Sequence, residues 1–200
     1  MSQRKSRERR KQEGEHPAGS RFQRLAQDRR LWVVAGAALV AVLLGVGVLA
    51  ARGNGSAQPI AERSGDAVSF SGTDPVTGRQ VSLDAFAGKP VVVNIWGSWC
   101  PGCNVEATDL LRFAAAHPEV QVVGVDLQDS KDAAKDFYRR WHWRHPSVFD
   151  PDGEISYSLG LQGTPSTFFL DRQHRIVTRI VGATDRAGFE QGLQTALGAS

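Results

Sequence analysis

Hydrophobic and polar positions divide the chain into blocks of different period. Residues 31–50 carry no charged side chain and no proline. About 20 apolar residues at ~1.5 Å rise per residue cover the ~30 Å hydrocarbon core of a bilayer, so this run predicts one transmembrane helix. Residues 51–65 mix Gly, Ser, Asn and Pro without periodicity and read as a flexible linker. From 66 to 200 the pattern is that of one compact domain. Segments 67–71 and 80–83 alternate around the turn-forming residues 73–78, which predicts a β-hairpin. Residues 90–96 are nearly all apolar, as expected of a strand buried on both faces. From Pro101, Cys103, Ala107, Leu110 and Ala114 recur at helical spacing, and His117-Pro118 stops the helix.

A second buried strand follows at 120–125, then a helix over 130–141 with Ser130 as its cap. Residues 147–149 are a short extended piece and 154–159 a helical turn. Strands at 166–170 and 175–181 flank the turn 171–174, and Phe189, Leu193, Ala196 and Leu197 form the stripe of a last helix. The order β-β-β-α-β-α-(β)-β-β-α places parallel crossovers first and an antiparallel hairpin last. It predicts an α/β fold: a mixed central sheet flanked by helices on both faces, with an N-terminal β-hairpin extension.

Charge adds an orientation. Residues 1–30 hold ten Lys/Arg against four Asp/Glu, whereas 51–200 hold 14 against 17. Arg21, Arg24, Arg29 and Arg30 crowd one end of the apolar run and Arg52 alone lies close on the other, which places 1–30 in the cytoplasm as a basic tail and the domain outside. A cleaved signal peptide, with a small-residue site at Val48-Leu49-Ala50, is the competing reading; the apolar run exceeds the usual ~7–15 residues of such a segment. Arg29-Arg30 is a weak echo of a twin-arginine signal. The basic run from Arg4 to Lys11 suits membrane topology and anionic lipid better than nucleic acid.

The chemistry lies in the only two cysteines, Cys100 and Cys103, in Trp99-Cys100-Pro101-Gly102-Cys103. A Cys-x-x-Cys between a buried strand and a helix is the sequence form of a dithiol/disulfide exchange site. A zinc half-site lacks further cysteines and suitably spaced histidines, and Asn104 after Cys103 excludes c-type haem attachment. A disulfide closing so short a loop would stabilise little as a staple. No metal is expected.

Residues 92–103, Val-Val-Asn-Ile-Trp-Gly-Ser-Trp-Cys-Pro-Gly-Cys, resemble the strand-to-active-site segment of the thioredoxin superfamily, in its membrane-anchored TlpA/ResA-like branch. Glu106 fits that branch's Cys-x-x-Glu continuation, and Gly163-Thr164-Pro165-Ser166-Thr167-Phe168-Phe169 resembles its cis-proline segment. The likeness covers roughly 66–198. It departs from thioredoxin itself in the Pro-Gly order of residues 101–102 and in Asn94, which stands in place of a buried aspartate. The resemblance implies a thioredoxin-like fold and a membrane-anchored, extracytoplasmic bacterial thiol–disulfide oxidoreductase.

Within that frame Cys100, at a helix N-terminus that favours the anion, is the attacking thiolate, and Cys103, one turn on and less exposed, is the resolving thiol. Pro101 suits the first helical position, where its missing N–H costs nothing. The resemblance implies a cis bond before Pro165 that exposes the Thr164 backbone to a substrate's extended chain. Glu106 either tunes the thiols and relays protons or is a solvated charge suiting the helix dipole. Asn94 lies under the site, satisfying backbone groups or holding water. Trp99 shields the sulfur and offers a contact face; Trp96 is core. The cluster Trp141-His142-Trp143-Arg144-His145 reads as amphipathic capping of a helix end rather than a partner site, and His117 and His174 read as solvated loop residues. The implied substrates are protein thiols and disulfides, with apocytochrome c thiols among them by analogy. The implied reductant is a transmembrane electron donor, and lipid contacts fall on 31–50. No dissociable cofactor is required, because the dithiol carries the two electrons. Two rival readings are a peroxiredoxin-like peroxidase and a non-enzymatic envelope binding module. The first would need Pro-x-x-x-Thr-x-x-Cys, but Val93 and Gly97 occupy the proline and threonine positions.

Overall fold

The computed structural model describes residues 57–61 and 65–198, which fall in the compact unit Gly55–Ser200. The basic tail 1–30 and the expected span 31–50 lie outside the described residues. Among the described residues no helix is long and apolar enough to cross a membrane.

Among the described residues, eight strands and four α-helices follow one another: β1 (Ile60–Ala61), β2 (Ser71–Thr73), β3 (Gln80–Ser82), a 3-10 turn (Leu83–Phe86), β4 (Val91–Trp96), α1 (Pro101–Ala116), β5 (Gln121–Leu127), α2 (Lys131–Trp141), β6 (Ser147–Asp150), α3 (Glu154–Ser158), β7 (Ser166–Leu170), β8 (Ile176–Val181) and α4 (Arg186–Gly198). The main sheet runs β1-β8-β7-β4-β5-β6. Strands β4, β5 and β6 are parallel, and β7 is antiparallel to both β4 and β8. The topology is therefore the mixed sheet expected from the element order.

Alternation along the strands divides the core in two. Val92, Trp96, Val122, Phe169 and Ile180 point to a layer filled by Leu110 and Phe113 of α1, Phe137 of α2, and Phe189 and Leu193 of α4. Val91, Val93, Ile95, Val123, Val125 and Phe168 point the other way, onto Phe70, Leu83 and Leu159. The helices are thus unequally shared. All three long ones cover one face, because two right-handed crossovers that step the same way along the sheet lay α1 and α2 side by side. The opposite face is closed by the 3-10 turn, the short α3 and their flanking loops.

The N-terminal hairpin is shifted from its expected place. Ala67 makes only an isolated bridge to Arg175, β2 pairs with β3 as a separate two-stranded sheet, and Leu83 opens the 3-10 turn capped by Ser82. The hairpin docks on β6: the Asp74 carboxylate accepts the Ser147 N–H at 3.0 Å, and a Cβ on Gly72 would strike Val148.

Three further expectations are corrected. Part of the 51–65 linker joins the fold, since Ile60–Ala61 pairs with β8 and Ala57 exchanges hydrogen bonds with Ala183 and Thr184. His117 is not solvated: it caps α1 and bridges Glu119 at 3.0 Å and Glu190 at 2.6 Å. Burial opposes its charge, but those two carboxylates outweigh it and hold the imidazole pKa above its ordinary value. His174 is also buried, with its ring nitrogen against the Phe86 carbonyl. In the Trp-His cluster, His142 caps α2 in the left-handed region, whereas Trp143 is core, packed on Trp96, Phe137 and Tyr138.

Candidate active site

The chain leaves β4 at Trp96 and turns through Gly97-Ser98-Trp99 before α1 begins. Gly97 is required here, because a Cβ would lie 2.5 Å from the Trp99 indole nitrogen. The turn is held from outside its own sequence. Asp129 accepts from the Ser98 N–H at 2.6 Å and the Ser98 hydroxyl at 2.9 Å. Asn104 donates to the Cys100 carbonyl at 2.9 Å and accepts from the Trp141 indole at 3.2 Å. Trp99 donates to the Leu127 carbonyl at 3.1 Å while half of its surface stays exposed.

Cys100 is the N-cap of α1 and Pro101 its first residue; the Cys100 sulfur accepts the Cys103 N–H at 3.1 Å. A sulfur in that position faces the unsatisfied amides that stabilise an anion. The two cysteines form a disulfide with Cα atoms 5.3 Å apart. Cys103 is wholly buried, and Cys100 is only 2 % exposed, more covered than an open nucleophile would be. The Thr164–Pro165 peptide is cis. Pro165 sits against the dithiol loop, since a Cβ on Gly102 would come within 2.9 Å of its Cδ. Among the described residues, neither the N–H nor the C=O of Thr164 has a hydrogen-bond partner.

Glu106 is the residue whose setting differs most from a helix-surface acid. It is fully buried. Its carboxyl accepts from the Asn94 amide at 2.9 Å and from the Thr184 N–H at 3.2 Å. Asn94 donates also to Thr167 at 3.0 Å, so it serves side chains rather than the backbone groups expected. Burial pushes the Glu106 carboxyl up to about 8, only partly opposed by the bonds from Asn94 and Thr184. Such a group holds and releases a proton near neutral pH, and the solvated-charge reading of Glu106 is set aside.

Inspection of the sequence alone missed Asp129 and Asn104, whose roles depend on contacts 31 and 37 residues away. It missed Asp126 as well. That carboxyl is fully buried beside Trp96 in the β4–β5 register. Burial first, then the charges of Asp129, Asp150 and Asp74, raise its pKa to about 8. Among the described residues no cluster of His, Cys, Asp or Glu is arranged to hold a metal ion.

A family model described as Redoxin matches residues 63–197. The chain belongs to the redoxin family. It is 36 % identical over 116 residues to the thiol:disulfide interchange protein DsbE of Pseudomonas aeruginosa, a match covering 58 % of this chain and 63 % of that protein. It is 28 % identical over 131 residues to the thiol-disulfide oxidoreductase ResA of Bacillus thuringiensis, covering 64 % and 75 %. The chain thus spans slightly less than two thirds of the Pseudomonas relative. Among solved structures, a DsbF homologue from Corynebacterium diphtheriae superposes with a TM-score of 0.63 at 28 % identity, covering 72 % of this chain and 96 % of that one. The fold of this redoxin domain is thioredoxin-like.

Proposed function

We propose that this chain is a thiol–disulfide oxidoreductase acting on protein cysteines outside the cytoplasm, held at the bacterial cell membrane by residues 31–50. The observation that carries the reading is the Cys100–Cys103 disulfide at the start of α1, facing a cis-proline across Gly102. Its relatives named DsbE and ResA, thiol:disulfide interchange proteins and oxidoreductases, support the activity. The placement outside the membrane rests on the charge asymmetry around 31–50.

In the reduced protein the Cys100 thiolate attacks a substrate disulfide, forming a mixed disulfide and releasing one substrate thiolate. The Cys103 thiolate then attacks the Cys100 sulfur and releases the second, leaving the internal disulfide. Two electrons pass to the substrate, which takes up two protons, and no dissociable cofactor enters. Running backward, the same steps oxidise a substrate dithiol. Thr164, with both main-chain groups unengaged, pairs with the extended substrate chain, while Trp99 and Val105, both exposed, offer apolar contact beside the sulfur. Apocytochrome c thiols are the substrate class suggested by the resemblance to ResA-like proteins, and a transmembrane electron donor re-reduces the site.

Equilibrium titration against glutathione buffers tests the reading and sets its direction. A potential near about −270 mV makes it a reductase and one near about −120 mV an oxidase. In Cys103→Ser the mixed disulfide on Cys100 accumulates. In Cys100→Ser exchange is lost. Rapid peroxide consumption that needs Cys100 alone would overturn the assignment in favour of a peroxidase, and an intact phenotype after loss of both cysteines would favour a binding module.

A further inference from the structure

The N-terminal hairpin does more than cover the edge of β6. Between it, the 3-10 turn and the connection from α2 to β6 lies a cavity of about 410 Å³, within the ~300–1,000 Å³ range of small-molecule clefts. Its lining is largely apolar, with Val76, Val81, Phe86 and the buried Trp143 joined by Tyr138 and His145. Its solvent side carries two exposed arginines, Arg79 from the hairpin and Arg144 from the connection.

Among the described residues neither guanidinium meets an acid. Two nearby cations of α2 are committed: Lys135 pairs with Asp132 and Arg139 with Asp136. The one carboxylate in the cavity wall, Asp74, is 4 % exposed and spent on backbone donors. It accepts from the N–H groups of Val76 and Thr77 on one oxygen and of Ser147 on the other. The wall therefore offers a largely apolar slot with two uncommitted guanidinium forks on its solvent side. Such forks match carboxylates with paired, charge-assisted hydrogen bonds.

We infer that this cavity binds a small organic carboxylate through its apolar body, with Arg79 and Arg144 clamping the anionic end. This site is separate from the dithiol, and no step of the exchange chemistry uses it. Arginine accepts phosphate as readily as carboxylate, so the largely apolar lining is what selects the class.

The test uses the full chain titrated calorimetrically with 3-phenylpropionate, its neutral counterpart 3-phenylpropan-1-ol, and inorganic phosphate. The acid is expected to bind at least about tenfold more tightly than the alcohol, which by 1.4 kcal/mol per decade is the scale of one charge-assisted contact. In R79Q/R144Q that preference disappears, while R112Q, a change in an exposed arginine paired with Asp109 on α1, keeps it. Both arginines of the double variant are exposed and unpaired, so the fold is retained, and a thermal melt checks this. Trp143 supplies the location: its indole N–H, bonded to the Ala107 carbonyl at 2.9 Å, shifts in the nitrogen–proton correlation spectrum as the acid is added. Equal affinity for acid and alcohol, affinity unchanged in R79Q/R144Q, phosphate binding as tightly as the acid, or a shift at Trp99 instead of Trp143 would each overturn the inference.

Discussion

Glu106 on α1 and Asp126 on β5 are both fully buried carboxyls, and both have pKa values raised to about 8, but their surroundings are opposite. Glu106 is met by donors, from Asn94 and Thr184. Asp126 is met by acids, with Asp129, Asp150 and Asp74 all raising its pKa further. Desolvation dominates both cases. The comparison teaches that burial decides where the proton leaves, whereas the neighbours decide what replacing the group costs.

The widest gap is expected on truncation. Glu106→Ala strands the Asn94 amide and the Thr184 N–H inside the core, and should cost about 3–5 kcal/mol by chemical denaturation. Asp126→Ala strands no donor and should cost about 1 kcal/mol. Equal losses would end the distinction.

Next in size is the pH dependence of stability. Both acids are protonated in the fold at pH values where the unfolded chain has already ionised. Their stabilising contribution is therefore complete below the unfolded carboxylate range, around pH 4, and is lost as pH rises through about 8. Unfolding free energies from denaturant titrations should fall by up to about 1.4 kcal/mol per pH unit for each acid between pH 5 and about pH 8. Asp126→Asn should match the parent at pH 5 and exceed it at pH 9. Glu106→Gln instead presents an amide to two donors with one acceptor and should be weaker at pH 5. A profile that is flat across this interval contradicts the raised values.

A smaller effect separates the two in catalysis. If Glu106 passes protons to the dithiol, Glu106→Gln should slow exchange by about 10²-fold and abolish a titration near pH 8 in the rate profile. Asp126→Asn should leave that titration in place. The smallest change concerns the other side of the loop. Gly102→Ala gains helix propensity but would set a methyl 2.9 Å from the Pro165 ring, a contact the loop must shift to relieve, so stability should fall by about 1 kcal/mol while exchange with a protein substrate falls.

Much of the frame was legible in advance because its causes are local. Proline at the first helical position, Ser130 as a cap, the uninterrupted apolar run of β4 and the two cysteines one turn apart all act through neighbours in the chain. The environment of Glu106 was not legible. Its partners lie 12 and 78 residues away, and an acid in the first turns of a helix is ordinarily a surface group. The same holds for Asp129, which holds Ser98 across 31 residues, and for β1, a two-residue strand whose only evidence is the β8 edge it pairs with. His174 was misjudged for the same reason: its turn is local, but the 3-10 turn that meets its ring arrives from 88 residues upstream.

By itself the sequence determined the order of the elements, the strand-to-helix junction and the dithiol upon it, because periodicity, caps and turns are written within a few residues. Only the tertiary structure decided which acids lose their water, which donors they meet and where two arginines overlook a largely apolar slot. Desolvation and hydrogen bonding depend on what every distant segment brings to one point in space, and no local pattern records that.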